Sequence, residues 1–157
     1  MISYRKAEIA DVIEILPKLR ESDVIELLLS SGPEYGQALI DSIEMCHGEA
    51  ESAIDAEGNV IAILGCCSVE SNQNLGVPFM VCSDEVDKYP IQVVMDAKAR
   101  TELWNNKHPV LVNMVYSKNE TSIKWLQHIG YNLGELDENW GYASAPFYKF
   151  YKVKQNV

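Results

Sequence analysis

Three acidic side chains stand where a general base could act. Glu26 falls on the polar side of a predicted helix, and Asp84 and Glu85 directly follow a predicted strand. A carboxylate in such a place can take a proton from a bound substrate. Structural roles stay open for both positions, because Glu26 also fits a solvated helix face and Ser83-Asp84 also fits a helix or turn cap. Glu26 and Asp84 are therefore candidate bases rather than assigned ones.

The thiol and imidazole side chains have no spacing that predicts a metal centre or a disulfide framework. No two cysteines form a C-x-x-C pair, and Cys66 and Cys67 fall on opposite faces of a predicted strand. The histidines are scattered and form no ligand set. We therefore expect reduced, buried thiols and no metal. The residues concerned are Cys46, Cys66, Cys67, Cys82, His47, His108 and His128.

Composition predicts one soluble globular domain over residues 1–157. The chain is 47% hydrophobic and 23% charged, as is usual for such domains. Its formal net charge is −10 and its 13 Lys and Arg residues are dispersed, so nucleic acid is not an expected partner. An acidic surface suits a cationic substrate such as an amine. The longest apolar runs fall well short of the roughly 20 residues that cross a membrane, and no apolar signal region follows Met1, so we expect a cytoplasmic protein.

The hydrophobic periodicity predicts an α/β domain with the element order β-αα(α)-β-β-β-α-β-α-β-β. Helical spacing of apolar residues alternates with short apolar runs, and Gly or Pro marks the breaks. This order predicts a mixed sheet with helices on both faces. The predicted strands are Ile2–Lys6, Ala50–Asp55, Asn59–Val69, Val77–Cys82, Pro109–Tyr116, Tyr131–Leu136 and Phe147–Val153. The predicted helices begin at Asp11, Ser22 and Pro33 and then cover Pro90–Asn106 and Glu120–Ile129.

One stretch, Asn119-Glu120-Thr121-Ser122 through Ile129-Gly130-Tyr131, resembles the GNAT superfamily of N-acetyltransferases. It is similar to that family's strand exit, last helix and glycine-aromatic turn. The resemblance implies the acyl-CoA N-acyltransferase fold and the transfer of acetyl from acetyl-CoA to a small-molecule or protein amine. It further implies that Asn119 hydrogen-bonds the pantetheine arm of the cofactor.

The same resemblance implies the remaining site residues. Acetyl-CoA would lie against the fourth strand and the last helix, where the implied contacts are Val81, Cys82, Ser83, Ser122 and Trp125. A backbone N–H of that strand would stabilise the oxyanion. Glu26 or Asp84 would take the proton of the amine. Tyr116 and Tyr131, which lie nearby in sequence, are the candidates for protonating the leaving thiolate.

The chain departs from the family pattern at two places. Active members carry a glycine-rich loop after the fourth strand, whose backbone N–H groups cradle the pyrophosphate. Here the loop from Ser83 to Gln92 has no glycine and three carboxylates. Leu126 occupies the position at which many members place the acid tyrosine. A catalytically degenerate protein is therefore the alternative to an active enzyme.

A narrower resemblance extends over nearly the full length. Tyr4-Arg5-Lys6-Ala7, the run Val77 to Asp84 and the segment Phe147 to Phe150 are similar to GNAT-like proteins of tailed phages, including a branch of internal virion proteins. This resemblance implies a phage product, located in the host cytoplasm or the virion. The partners it implies are phage virion proteins, in a structural or host-interaction role. A homodimer through a sheet edge at the C-terminal strands is also compatible with the sequence.

Overall fold

The computed structural model describes residues 1–155, which form a seven-stranded sheet with helices on both faces. The strands are β1 Ser3–Lys6, β2 Glu51–Ile54, β3 Val60–Ser68, β4 Leu75–Cys82, β5 Val110–Tyr116, β6 Asn132–Trp140 and β7 Ala145–Val153. The helices are α1 Ile9–Ile15, α2 Glu21–Ser31, α3 Tyr35–Glu44, α4 Pro90–Lys107 and α5 Glu120–His128, with short 3-10 turns at Leu16–Lys18 and Asp84–Lys88. The element order and the α/β class are as predicted. No helix within residues 1–155 is both long enough and apolar enough to cross a membrane.

The sheet separates two helical layers. On one face α1 and α3 pack Val12, Ile15 and Leu39 against the inward side chains of β3, such as Ile63. On the other face α4 and α5 cover β5 and β7, where Leu111 is fully buried. Burying each large aliphatic side chain contributes roughly 1.5–3 kcal/mol, so these two layers hold the sheet in place.

The strand order is β1-β2-β3-β4-β5-β7-β6, and β4 and β5 are its parallel pair. That pair is joined only at its beginning, where Leu75 and Gly76 lie beside Val110 and Leu111. Pro78 has no N–H to donate to a neighbouring strand, which removes a ladder bond close after the joint. The two strands therefore separate towards their carboxyl ends and leave a gap in the sheet.

Two predicted helix caps are replaced by other arrangements. α1 begins before Asp11, and the Asp11 carboxylate instead accepts the Glu8 N–H at 2.9 Å. The same carboxylate also receives Arg5 and the Ser52 hydroxyl, so it ties α1 to β1 and β2. α2 begins at Glu21 rather than after a Ser22 cap. For Asp11, the donors Arg5 and Ser52 outside the helix contribute to deciding where the side chain binds.

The last two strands are longer than predicted, because the expected loop from Asp137 to Pro146 is mostly strand. Trp140, expected in that loop, ends β6 and packs on Phe147 with ring centroids 4.9 Å apart. β7 lies between β5 and β6, so it is not a sheet edge. The C-terminal sheet edge at which a dimer could form is therefore β6. β6 exposes Glu135, Asp137 and Glu138, and such charges discourage pairing with another strand.

The tip of the β6–β7 hairpin is docked on the end of α2. Tyr142 donates its N–H to the Ser30 carbonyl at 3.1 Å, and Ala143 donates to Leu29 at 3.0 Å. Gly32 ends α2 with a positive φ of 83°, and a Cβ there would lie 2.9 Å from the Tyr142 ring. α2 is thus fixed at its carboxyl end, which positions its first turns beside the gap between β4 and β5.

Candidate functional site

The gap between β4 and β5 opens into a largely apolar cavity of about 200 Å³. Its walls include Glu26 from α2, Trp125 and Leu126 from α5, and Trp140 from the end of β6. A second cavity of about 280 Å³ lies outside it, between the end of β4 and the first turns of α4 and α5. The two cavities share Met80 and Trp125 as walls. Together they trace a path through the sheet.

The β4 side of the gap is already hydrogen-bonded by the start of α2. The Cys82 N–H donates to the Asp23 carboxylate at 2.8 Å, and the Cys82 carbonyl accepts the Arg20 N–H at 3.0 Å. Backbone groups of alternate residues point to the same side of a strand, so Pro78 and Met80 present theirs to the gap as well. The Pro78 carbonyl accepts the Asn113 amide at 2.8 Å. Side chains and a neighbouring backbone thus replace much of the missing strand pairing.

On the β5 side of the gap, side-chain oxygens likewise accept backbone N–H groups. The Tyr116 N–H donates to Glu26 Oε1 at 2.7 Å, and the Met114 N–H donates to Asn113 Oδ1 at 2.8 Å. Asp23 and Glu26 are three residues apart on α2, so they share one helix face. α2 therefore bridges the separated ends of the two strands.

Burial sets the protonation of both α2 carboxyls. Loss of solvent raises the pKa of Glu26 to about 7, the nearby Asp23 raises it as well, and the Tyr116 N–H opposes the shift. Burial likewise raises the pKa of Asp23, against the Cys82 N–H and the nearby Arg20. Glu26 consequently exchanges a proton near neutral pH, which is the property a general base needs.

Asn119 occupies the position before α5 and is buried. Its Oδ1 accepts the Ser122 N–H at 3.3 Å, which caps the helix. Its side-chain nitrogen is buried and has no hydrogen-bond partner within the described residues, although it lies near enough to Glu26 to lower the pKa of that carboxyl. A buried donor of this kind is uncommon in folded proteins.

The loop after β4 is a 3-10 turn that uses its own backbone donors. Ser83 Oγ accepts the Glu85 N–H at 3.3 Å, and the Ser83 carbonyl accepts the Val86 N–H at 3.4 Å. Arg20 pairs with Asp87 at 2.5 Å and with Asp84 at 3.6 Å. The loop's cation Lys88 pairs with Glu85 at 2.6 Å. The loop therefore presents carboxylates whose counter-ions are already supplied by the chain.

These residues do not fit acetyl-CoA, the cofactor that the sequence resemblance implies. The pyrophosphate would approach the carboxylates of Asp84, Glu85 and Asp87. A pantetheine arm at Cys82, the contact that the resemblance implies, would compete with Asp23 and Arg20 for the backbone of that residue. Of the features expected for this cofactor, the free amide of Asn119 and the gap itself are present.

Most of the residues expected at the site do come together at the gap. Glu26, Ser122 and Trp125 line the first cavity, and the Tyr116 backbone and Asn119 adjoin Glu26. Asp84 does not, because it is exposed and lines neither cavity.

Val81 also lines the first cavity and Cys82 the second, and the remaining expected contacts have structural positions as well. The Val81 side chain is buried in the α1–α3 layer, and Ser83 caps the 3-10 turn. The Cys82 side chain is buried on the opposite face, and burial raises the pKa of its thiol. The Tyr116 ring packs on Phe147 with centroids 5.4 Å apart.

Two residues of the gap were missed by sequence reasoning, Asp23 in its actual role and Asn113 altogether. The side chain of Arg20 pairs with Asp84 and Asp87, while Asp23 binds Cys82. The available signal was the i, i+3 spacing of Asp23 and Glu26 beside apolar residues of α2. Within residues 1–155, no three His, Cys, Asp or Glu side chains are grouped as a metal site would require.

Comparison with known proteins finds likeness in structure only. No family model matches the chain, and no curated protein matches its sequence. Among solved structures, a spermidine N-acetyltransferase chimera from Vibrio cholerae superposes with a TM-score of 0.70 at 11% identity, over 97% of this chain and 95% of the other. A GNAT-family acetyltransferase from Bacillus anthracis gives 0.68 at 12% identity, over 97% and 94%.

A phosphinothricin acetyltransferase from Sinorhizobium meliloti, solved in complex with acetyl-CoA, gives a TM-score of 0.65 at 15% identity, over 97% of this chain and 88% of the other. These likenesses cover nearly the whole chain, at identities that establish architecture and leave the chemistry open. The seven-stranded sheet, its gap and its helical layers thus give this chain the fold of the GNAT N-acetyltransferases.

Proposed function

We propose that this chain is a GNAT-fold protein without acetyltransferase activity, and that it works by binding other proteins of a tailed-phage particle. The proposal rests on the end of β4, where the Cys82 backbone is already hydrogen-bonded by Asp23 and Arg20. Asp23 and Arg20 use both backbone groups of Cys82, a residue that the sequence resemblance implies as a cofactor contact. The sequence resemblance to phage internal virion proteins supplies the biological setting.

Opening this edge has a physical cost. A cofactor arm that pairs with Cys82 must displace the Asp23 carboxylate, which is buried and would lose its donor. Leaving a buried polar group without its partner costs about 1–3 kcal/mol, and more for a charged one. The loop after β4 would also offer the cofactor phosphates few free cations, because Arg20 and Lys88 already pair with its carboxylates. Both effects disfavour an acyl-CoA complex.

A second candidate function is N-acetyl transfer to an amine, favoured by Glu26 and Asn119. Glu26 has a pKa of about 7 and lines the cavity, so it is suited to take a proton from an amine acceptor. The unpaired Asn119 amide offers a donor beside it. This function requires residues 19–23 to leave the edge of β4.

Two measurements separate these functions. The purified full chain is incubated with acetyl-CoA and a panel of primary amines, and release of free thiol is followed. We expect no amine-dependent release above the protein-free rate. Release that is lost in Glu26→Gln would establish the transferase function instead.

The assembly role is tested on phage particles. Particles of the phage that encodes this chain are purified by density gradient and analysed by mass spectrometry, with a non-structural protein of the same phage as the negative control. We expect the chain to co-purify with the particles in constant proportion to the capsid protein. A chain abundant in the lysate and absent from the particles would contradict the role.

A further inference from the structure

The outward face of α4 carries a row of exposed apolar side chains. Ile91, Met95 and Leu103 are 76%, 65% and 67% exposed, and Ala99, also exposed, completes the row at intervals of four residues. The opposite side of α4 is buried against the sheet through Ala97, Thr101 and Asn105. A surface helix normally turns polar side chains outward, so an apolar outer face indicates a surface that is covered by another molecule.

The rows of two copies of the chain can pack against each other. Residues four apart form one ridge on a helix surface, and two such ridges interdigitate at a crossing angle of about −50°. When two copies of α4 cross antiparallel at Ala99, Met95 of each copy lies opposite Leu103 of the other. Ala99 meets its own equivalent at the crossing, where small side chains allow the helices to approach closely. A two-fold pair of this kind uses the same patch on both copies.

The charges beside the row are complementary in the same arrangement. Lys98 and Glu102 are exposed and flank the apolar row. With the two-fold axis at Ala99, Lys98 of one copy and Glu102 of the other lie on the same flank, about 3 Å apart along the helix axis at a rise of 1.5 Å per residue. Lys98 has no ion pair within the described residues, and Glu102 has a long contact of 3.7 Å with Lys152. Both side chains are therefore available to pair between copies.

The charge of the whole chain favours this face for self-association. Two copies with a formal charge of −10 each repel unless they meet where carboxylates are few or paired. α4 has Lys98, Arg100 and Lys107 against Asp96 and Glu102, so it carries a small positive charge in an acidic chain. We propose that two copies of this chain form a symmetric dimer through the outer faces of α4, crossing at Ala99. The dimer is independent of whether the gap between β4 and β5 binds a cofactor.

Light scattering after size exclusion, with sedimentation velocity over a range of concentrations, tests the dimer. We expect a mass of twice the 17.6 kDa chain. Leu103→Glu places carboxylates in the interface and should give monomers. Ile13→Glu is the matched control, because Ile13 is 68% exposed on α1, away from this face. It should remain dimeric, and circular dichroism checks that both variants fold.

Exchanging the charges at positions 98 and 102 tests whether Lys98 of one copy pairs with Glu102 of the other. Lys98→Glu and Glu102→Lys each put like charges opposite each other and should weaken self-association at least tenfold. In an equimolar mixture the two variants regain both pairs, so the mixture should form heterodimers with an affinity near that of the wild-type chain. A wild-type monomer at all concentrations would overturn the proposal. So would a dimer that survives Leu103→Glu, or a mixture no more associated than either variant alone.

Discussion

Two carboxylates on α2 hold the ends of two separated strands. Asp23 accepts the Cys82 N–H of β4 and Glu26 accepts the Tyr116 N–H of β5. Each satisfies a strand-edge donor that would otherwise be unpaired in a partly buried place. Burial raises the pKa of both carboxyls, which means that holding either of them in the charged form costs free energy.

We expect the cost of burying Glu26 to appear as a pH dependence of the free energy of unfolding. Its pKa is about 7 in the fold against 4.5 as the ordinary value, so the folded state favours the protonated form. The stability contributed by Glu26 is present below pH 4.5 and is lost as the pH rises through 7. Glu26→Gln keeps an acceptor for the Tyr116 N–H and removes the charge. We expect this variant to match wild type at pH 4.5 and to be more stable at pH 8 by up to about 3 kcal/mol, at 1.36 kcal/mol for each pKa unit.

Urea unfolding at a series of pH values measures this difference. Glu21→Gln, an exposed position on the same helix, is the control and should show no such divergence from wild type. A Glu26→Gln variant that is less stable than wild type at pH 8 would show that the carboxylate form is stabilising, contrary to this account.

At the scale of elements, the segment that joins α1 to α2 acts as a short substitute strand. Leu19 forms an isolated antiparallel bridge with Ser83, and Arg20 donates its N–H to the Cys82 carbonyl at 3.0 Å. The salt bridges from Arg20 to Asp84 and Asp87 tie the segment to the following loop. The segment and α2 thus close the mouth of the gap from the N-terminal side.

Removing the Asp23 acceptor should loosen this closure. Asp23→Ala leaves the buried Cys82 N–H without a partner, so we expect a loss of about 1–3 kcal/mol in the free energy of unfolding. Asp23→Asn keeps an acceptor oxygen and should lose less. Hydrogen exchange followed by NMR should show faster exchange of the Cys82 amide in Asp23→Ala, with exposed Asp41→Ala as the control. An amide as protected as in wild type would contradict the assigned hydrogen bond.

The elements themselves were readable from the sequence. Helical spacing of apolar residues placed α2 to α5 within a few residues, and the short apolar runs placed β2 and β3. These signals are local, so they can be recognised in the sequence without knowledge of the fold. The extended β6–β7 hairpin was missed because its strands are lengthened by packing, such as that of Trp140 on Phe147, rather than by a local pattern.

The site was only partly readable. Asn119 and Glu26 were found from a family-like motif and from residue type. The bond from Asp23 to Cys82 joins residues 59 positions apart, and no local signal gives the partner of such a contact. The acidic loop was visible in the sequence, whereas the closure of the β4 edge required the tertiary structure.

At the scale of the whole molecule, the likeness to acetyltransferases lies in the architecture. The chain superposes on acetyltransferases with TM-scores of 0.65 and 0.70 over 97% of its length, at 15% and 11% identity. A fold supports many functions, and the residues at the site decide among them. Here those residues occupy the Cys82 backbone at the β4 edge of the gap and surround its mouth with carboxylates.

Isothermal titration calorimetry of acetyl-CoA into the wild-type chain tests the central claim most directly. Free CoA is titrated in parallel, at low and at physiological salt, to separate phosphate contacts from acetyl contacts. Because Asp23 and Arg20 occupy the backbone of Cys82 and the loop is acidic, we predict no saturable heat up to about 1 mM ligand, which corresponds to about −4 kcal/mol or weaker. Saturable binding in the micromolar range would contradict an occupied β4 edge and restore acetyl transfer as the leading function.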